Sequence, residues 1–252
     1  MNDSNHYTIN LNSRPSVVYF TLQSRFPMTI KMVGYDATRM NTVYFNRDIN
    51  IKGDKPMRVE FPMPISPDVL TVAIQTTGAG FNNLVGVLNV EKYDMPSRTI
   101  TYPKGTMEYV NFIKNFTDKM GERQEGFFVS NNENYIIWLK PNIDTSSTPA
   151  KVNRRTGVIK VSTSQLHKYT VPMRMFILLH EFFHWYYNTT SEFKADLNAL
   201  NLYLDLGFPK SEANYAMTKI FTSGKEATER VALLDRMIKQ RSTNPIVPKM
   251  VK

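Results

Sequence analysis

The spacing of apolar residues changes near residue 105, and this change constrains the fold more than any other feature of the sequence. Before it, apolar and polar residues alternate in short segments between Pro, Gly, Asn and Asp, which is typical of β-strands separated by turns. Strands are predicted at residues 17–22, 28–33, 42–45, 57–61, 69–75 and 84–90. This pattern predicts an N-terminal all-β sandwich or barrel over residues 1–104.

After residue 105 the sequence becomes mostly helical. Apolar residues recur at helical spacing from Met107 to Phe116, and Gly121 follows them as a stop signal. The pattern predicts further helices at residues 170–187, 191–206, 211–221 and 225 to about 240, strands at 135–139 and 157–162, and an exposed loop at 141–156. We therefore predict an α+β protein whose second domain, residues 105–241, combines a small sheet with helices and precedes a tail at 242–252.

The composition is that of a globular protein. Hydrophobic residues make up 42% and charged residues 21% of the 252 positions, which argues against a disordered or fibrous chain. The sequence shows no apolar run long enough to cross a bilayer and no secretory signal, so we predict a cytoplasmic protein without a membrane partner. Because the chain contains no cysteine, any metal must be bound by imidazole and carboxylate groups.

The net charge of +9 raises the question of nucleic-acid binding. The basic residues are scattered, and Lys151, Arg154 and Arg155 form the only tight group. A solvated linker explains that group better than a phosphate-binding patch does. Nucleic acid is therefore not predicted as a partner.

One predicted helix carries a motif with metal chemistry. Residues 176–187 read FILLHEFFHWYY, which contains HExxH. Residues four apart lie on one face of a helix, so His180 and His184 can bind one ion while Glu181 addresses a bound water. The chain contains only four His, and this helix is apolar on almost every side, so buried imidazoles would be costly without a cation. Zinc suits two imidazoles and an oxygen ligand.

Two carboxylates follow the motif at a spacing that suits a third ligand. Glu192 and Asp196 lie four residues apart on the next predicted helix, so both can face the metal. An acidic pair that only stabilises the N-terminus of that helix is the alternative reading. Because a metal-bound histidine usually donates its second ring N–H to a carboxylate, we expect Glu192 to bind the metal and Asp196 to orient a histidine.

This HExxH followed by ExxxD resembles the gluzincin branch of the zincin metallopeptidases. The resemblance covers residues 106–240 and implies that His180, His184 and Glu192 bind Zn²⁺, with Glu181 as general base. Only seven residues separate His184 from Glu192, so the chain is similar to compact bacterial and phage versions of the family. The resemblance also implies that a substrate peptide lies along an edge strand, for which the predicted strands at 135–139 and 157–162 are candidates.

Three further residues are candidates for stabilising an oxyanion in such a reaction. His167 and Tyr169 precede the motif helix, and Tyr215 follows it, although a surface His and core Tyr residues are the simpler interpretations. Two functions fit the whole sequence. One is a zinc-dependent endopeptidase, acting on a peptide or protein, with an accessory β domain. The other is a phage virion structural or assembly protein, in which the β domain docks onto protein partners and the zincin-like domain is a scaffold or a processing activity.

Overall fold

The computed structural model of the chain describes residues 4–76, 84–96, 100–120, 123–143 and 149–220, with residues 228–229, 232, 235–237 and 239. Its strands are β1 (Ser4–Asn10), β2 (Ser16–Ser24), β3 (Met28–Asp36), β4 (Val43–Ile51), β5 (Met57–Met63), β6 (Val69–Thr76), β7 (Val85–Asp94), β8 (Gly126–Val129), β9 (Ile136–Lys140), β10 (Ala150–Val152) and β11 (Ile159–Ser162). Its helices are α1 (Lys104–Lys119), α2 (Thr163–Leu166), α3 (Val171–Tyr186), α4 (Glu192–Asp205) and α5 (Lys210–Ile220).

The chain divides into two compact units. The first contains Met1–Met95, Lys114–Arg123 and His167–Pro172, and the second contains Pro96–Ile113, Gln124–Leu166 and Met173–Lys252. Antiparallel sheets are followed along the chain by helices, so the predicted α+β class is confirmed. Among the described residues, no helix is both long and apolar enough to cross a lipid bilayer.

The first unit contains two antiparallel sheets, with strand orders β1-β6-β3-β4 and β5-β2-β7. The six predicted strands correspond to β2 through β7, and most of them extend further than the alternation indicated. The strand β1 was not predicted, because only Tyr7 and Ile9 interrupt its polar sequence. The barrel alternative is wrong, because both sheets are open within the described part of the chain.

Side chains from both sheets form one hydrophobic core. Its fully buried members include Val18, Phe20, Leu22, Ile30, Met32, Phe45, Phe61, Leu70 and Val72. Phe45 of β4 stacks on Phe61 of β5 with ring centroids 3.8 Å apart, and Phe20 of β2 meets Phe61 edge-on at 6.1 Å. Because β4 and β5 belong to different sheets, these contacts pack the sheets face to face, as in a sandwich.

The second unit is built on a four-stranded sheet of order β10-β11-β9-β8, in which only β11 and β9 are parallel. The predicted strands at 135–139 and 157–162 are β9 and β11. Both lie inside the sheet, so their prediction as peptide-binding edge strands is wrong, and the edge strands are β10 and β8. The prediction of a loop at 141–156 is also partly wrong, because residues 150–152 of this segment form β10, which pairs with β11.

The helices of the second unit largely follow the predicted pattern. Helix α3 is central, since every residue from 173 to 180 is buried, and the Tyr109 hydroxyl donates to the Leu178 carbonyl oxygen at 3.0 Å. Helix α4 packs on it through an edge contact between Tyr203 and Phe176, with ring centroids 5.6 Å apart. Helix α5 begins at Lys210, one residue before its predicted cap. The predicted fourth helix and the tail lie largely outside the described residues.

Candidate metal centre

The HExxH residues occupy the last turns of α3, and the chain returns to them at once through the start of α4. Residues 187–191 connect the two helices. The Ser191 side chain accepts a hydrogen bond from the Lys194 N–H at 3.2 Å and so caps the N-terminus of α4. This cap fixes Glu192 as the first residue of α4, and Asp196 follows one turn later, where it is 1% exposed.

The three predicted ligands converge. The Nε2 atoms of His180 and His184 lie 3.0 Å apart. The Glu192 carboxylate spans both rings, with Oε2 3.3 Å from His180 Nε2 and Oε1 3.4 Å from His184 Nε2. One ligand atom from each of the three residues therefore lies within 4.8 Å of the other two. Both histidines are buried, whereas the Glu192 side chain is 45% exposed, so the group opens toward solvent on the Glu192 side.

The second nitrogen of each ring is held by another group. His180 Nδ1 lies 2.7 Å from Asp196 Oδ1, and His184 Nδ1 lies 2.9 Å from the carbonyl oxygen of Thr189. A carbonyl oxygen and a carboxylate accept hydrogen bonds, so each Nδ1 carries the donated hydrogen. In neutral rings this assigns the lone pairs to the two Nε2 atoms.

The direction of these lone pairs decides whether the site fits a metal ion. Two Nε2 lone pairs and a carboxylate pointing at one place are three acceptors without a donor among them, which is unfavourable unless a positive charge sits between them. A divalent cation supplies that charge. Orientation of each ligating imidazole by a hydrogen bond at its other nitrogen is the usual arrangement around protein-bound metals. The donor set therefore fits a metal ion bound by His180, His184 and Glu192.

The pKa values of these groups are shifted in the directions that favour protonated histidines beside an ionised Glu192. Burial lowers the pKa of His180, but hydrogen bonds with Asp196 and Glu192 outweigh burial and raise this pKa from 6.5 to about 9. The pKa of His184 is also raised, because its contacts with Glu192 and Thr189 outweigh burial. Hydrogen bonds from both imidazoles lower the pKa of Glu192. Metal binding should therefore release protons.

Glu181 lies on the same helix but has a different environment. Its Oε2 atom accepts a hydrogen bond from the Val152 N–H of β10 at 2.8 Å. Burial raises the pKa of this carboxyl group, although the nearby His180 and the Val152 N–H oppose that rise. A carboxylate whose pKa is raised is a better proton acceptor than an ordinary glutamate. The hydrogen bond between Glu181, the predicted base, and Val152 thus connects α3 to the edge strand β10.

The remaining predicted residues lie elsewhere in the two units. His167 belongs to the first unit, where its Nε2 atom is 3.3 Å from the carbonyl oxygen of Met120. Tyr169, two residues later, is half-buried in the same unit. Tyr215 lies on α5 and is 53% exposed. The group of converging ligand atoms does not include His167.

Sequence reasoning missed two partners of the site, the Thr189 carbonyl and the Val152 N–H. Both are backbone groups, and the residue type at a position gives no sign of where its backbone points. The pairing of β10 with β11 brings Val152 to α3, and the turn after α3 directs the Thr189 carbonyl at His184. The polar turn at 188–191 is the sequence signal that could have indicated the Thr189 contact, whereas the three residues of β10 are too few to indicate the Val152 contact.

Comparisons with known proteins assign the chain to no family. Neither a protein-family model nor a curated protein matches it. Two chains of solved structures match. One of them, described as "CBM4 structure and function", is 14% identical over 36% of this chain and 56% of that chain, with a TM-score of 0.25. A TM-score of this size does not establish a shared fold.

Proposed function

We propose that this protein is a zinc-dependent peptidase. The observation that carries the proposal is the convergence of His180 Nε2, His184 Nε2 and the Glu192 carboxylate beside the half-buried Glu181. Two imidazole nitrogens and one carboxylate oxygen are a ligand set of catalytic zinc, which keeps a fourth position for water or substrate. The absence of cysteine leaves only nitrogen and oxygen ligands, which zinc accepts.

Each residue of the site has a separate role in the proposed peptide hydrolysis. His180, His184 and Glu192 would hold zinc, which would supply the Lewis acidity that polarises a substrate carbonyl and acidifies a water. Glu181 takes the proton of the attacking water and later gives it to the amine that leaves when the C–N bond breaks. The Val152 N–H holds Glu181 Oε2, which leaves Oε1 as the atom that carries the proton. Asp196 and the Thr189 carbonyl keep the two imidazoles oriented.

Strand β10 is the element we propose for substrate binding. It is an edge strand of its sheet, and its Val152 N–H contacts Glu181 directly. An extended peptide can add to a sheet edge through main-chain hydrogen bonds. A peptide bound along β10 would pass close to the proton acceptor, because the strand and Glu181 are joined by one hydrogen bond.

The test of this function is the variant Glu181→Gln. The amide oxygen of Gln can still accept from the Val152 N–H, so we expect an unchanged fold and unchanged zinc content. Loss of the proton acceptor should reduce cleavage of a protein substrate by at least about 100-fold. Glu125→Gln, at an exposed position of the same unit, is the matched control and should keep full activity.

Two results would contradict the proposal. One is equal cleavage by Glu181→Gln and the unmodified protein, which would place the base elsewhere. The other is a zinc-loaded protein that cleaves nothing across a broad panel of peptides and proteins. In the second case the metal would be structural, and the assembly function, with docking through residues 1–104, would replace the peptidase.

A further inference from the structure

An open cleft in the second unit is lined by residues that adjoin, along the sequence, two contacts of the motif helix. It has a volume of about 690 Å³ and is lined by Asn153, Arg154, Arg155 and Asn188. Asn153 directly follows Val152, whose N–H donates to Glu181. Asn188 directly precedes Thr189, whose carbonyl oxygen accepts from His184 Nδ1. Each side of the cleft is therefore one residue from a direct contact with the motif helix.

The basic side of the cleft is a closed turn between β10 and β11. The Asn153 side-chain oxygen accepts from the Arg155 N–H at 3.0 Å and from the Thr156 N–H at 3.3 Å. The Asn153 N–H donates to the Val158 carbonyl oxygen at 2.9 Å, and its own carbonyl oxygen accepts from the Gly157 N–H at 2.8 Å. These bonds fix the backbone that carries Arg154 and Arg155, so the two residues do not belong to a solvated linker.

The turn also packs tightly on the end of α3. Gly157 has a φ of +75°, in the left-handed region that L side chains rarely adopt. A Cβ atom at this position would lie 2.8 Å from Cε2 of Trp185. Glycine is therefore needed twice, for its conformation and for the close approach. Because Trp185 is the residue after His184, the turn is anchored directly beside the motif.

The two arginines give the cleft a positive charge that faces solvent. Arg154 and Arg155 are exposed, and within the described part of the chain neither guanidinium pairs with a protein group. The strand β10, which precedes this turn, carries the exposed Lys151. A guanidinium presents its N–H groups in a planar fork that matches the two oxygens of a carboxylate. Two such groups on a fixed turn favour a ligand with a negative charge.

We propose that Arg154 and Arg155 bind a carboxylate of the substrate, so that the protein prefers peptides with acidic character near the cleaved bond. This inference rests on the proposed peptidase function, since it names the substrate class of that same site. The carboxylate can come from an Asp or Glu side chain or from the C-terminus of the peptide. Both sources have the same chemistry, and the two are separated by experiment.

Cleavage of matched peptides tests the preference. The zinc-loaded protein is assayed with a series of peptides that carry a single Glu or Gln at successive positions around the cleaved bond. Each peptide is made with a free and with an amidated C-terminus. We expect at least one Glu position, or the free C-terminus, to raise kcat/KM over its neutral counterpart. The gain should fall about two- to fivefold in Arg154→Gln and in Arg155→Gln, and further in the double variant.

The control is Arg25→Gln, another exposed arginine, which lies in the turn between β2 and β3 of the first unit and should leave the preference unchanged. Sodium chloride should weaken the preference of the unmodified protein, because exposed charge pairs are screened. A peptide series cleaved without any preference for carboxylate, or a preference that survives in the double arginine variant, would overturn this inference and leave the peptidase function standing.

A binding measurement separates failure of this inference from failure of the proposed function. In the Glu181→Gln background, fluorescence anisotropy measures the affinity of a labelled Glu peptide and its Gln counterpart without cleavage. Tighter binding of the Glu peptide that disappears in the double arginine variant supports the carboxylate site even if no peptide is cleaved. Equal affinity for the two peptides overturns it.

Discussion

Two partly buried polar clusters, one in each unit, satisfy their charges in opposite ways. In the first unit, the carboxylates of Asp36 and Asp118 meet the guanidinium of Arg39. In the second, the imidazoles of His180 and His184 meet the carboxylate of Glu192. The first cluster carries its own permanent cation, whereas the second has a positive charge only when a proton or a metal ion supplies it.

The first cluster connects the segment after β3 to the end of α1. Arg39 Nη2 lies 2.7 Å from Asp36 Oδ2 and 2.9 Å from Asp118 Oδ1, and Nη1 donates to the Asp118 carbonyl oxygen. Asp36 Oδ1 also accepts hydrogen bonds from the Thr38 N–H at 2.8 Å and from the Thr38 hydroxyl at 2.7 Å. Donors and acceptors match here, so this cluster offers no reason to bind a further ion.

The second cluster lacks that match as long as its two rings are neutral. Its outer contacts, Asp196 with His180 and Thr189 with His184, use up the hydrogens of the rings and direct two lone pairs inward. A cluster that serves stability alone would pair those lone pairs with donors. Predictions that alter one cluster and leave the other intact therefore test the distinction.

The largest expected effect is on metal affinity in the second cluster. Glu192→Gln should weaken zinc binding by more than about 100-fold, because it replaces a charged ligand with a neutral amide. Asp196→Asn should weaken binding by about 10- to 100-fold, because it loosens the orientation of His180 without removing a ligand. Competition with a chromophoric chelator measures both affinities, and Glu125→Gln serves again as the unaffected control. Should Asp196→Asn cost more than Glu192→Gln, the two carboxylates would have exchanged roles.

A smaller effect is expected on stability in the first cluster. Asp36→Asn places an amide N–H against Arg39, so it should reduce the free energy of unfolding by about 1–3 kcal/mol. Asp48→Asn, on the exposed side of β4, should change the free energy of unfolding by less than about 0.5 kcal/mol. Urea unfolding followed by circular dichroism measures both. A loss in Asp36→Asn that depends on zinc would contradict the separation of the two clusters.

The same variant tests the pH dependence of the first cluster. Burial raises the pKa of Asp36, but hydrogen bonds from Thr38 and Arg39 outweigh burial and lower the pKa below its ordinary value of 3.8. A carboxylate with a lowered pKa in the folded state stabilises above its unfolded pKa, and this contribution is lost as the pH falls below about 4. The gap in Tm between the unmodified protein and Asp36→Asn should therefore narrow on acidification. A gap that widened instead would contradict the sign.

The sequence predicted the second cluster better than the sheet around it. HExxH contains His180 and His184, the following ExxxD contains Glu192, and helical spacing alone brings the two histidines to one face. Strand order depends on which strands pair over long separations, which the alternation of β9 and β11 does not encode, so their interior position could not be read. The short β10 has three residues, too few for a period to be recognised. The Arg39 cluster joins residues 79 apart and left no signal in the sequence.

The most direct test of the central claim is the zinc content of the purified protein, measured by mass spectrometry together with Tm before and after chelation. We predict about one zinc ion per chain and a lower Tm after chelation, because an ion that binds only the folded state stabilises it. The variant with both His180→Gln and His184→Gln should hold no zinc, and its Tm should not respond to chelator. Unmodified protein that stays metal-free in zinc-containing buffer, with a Tm that chelation does not change, would contradict the account.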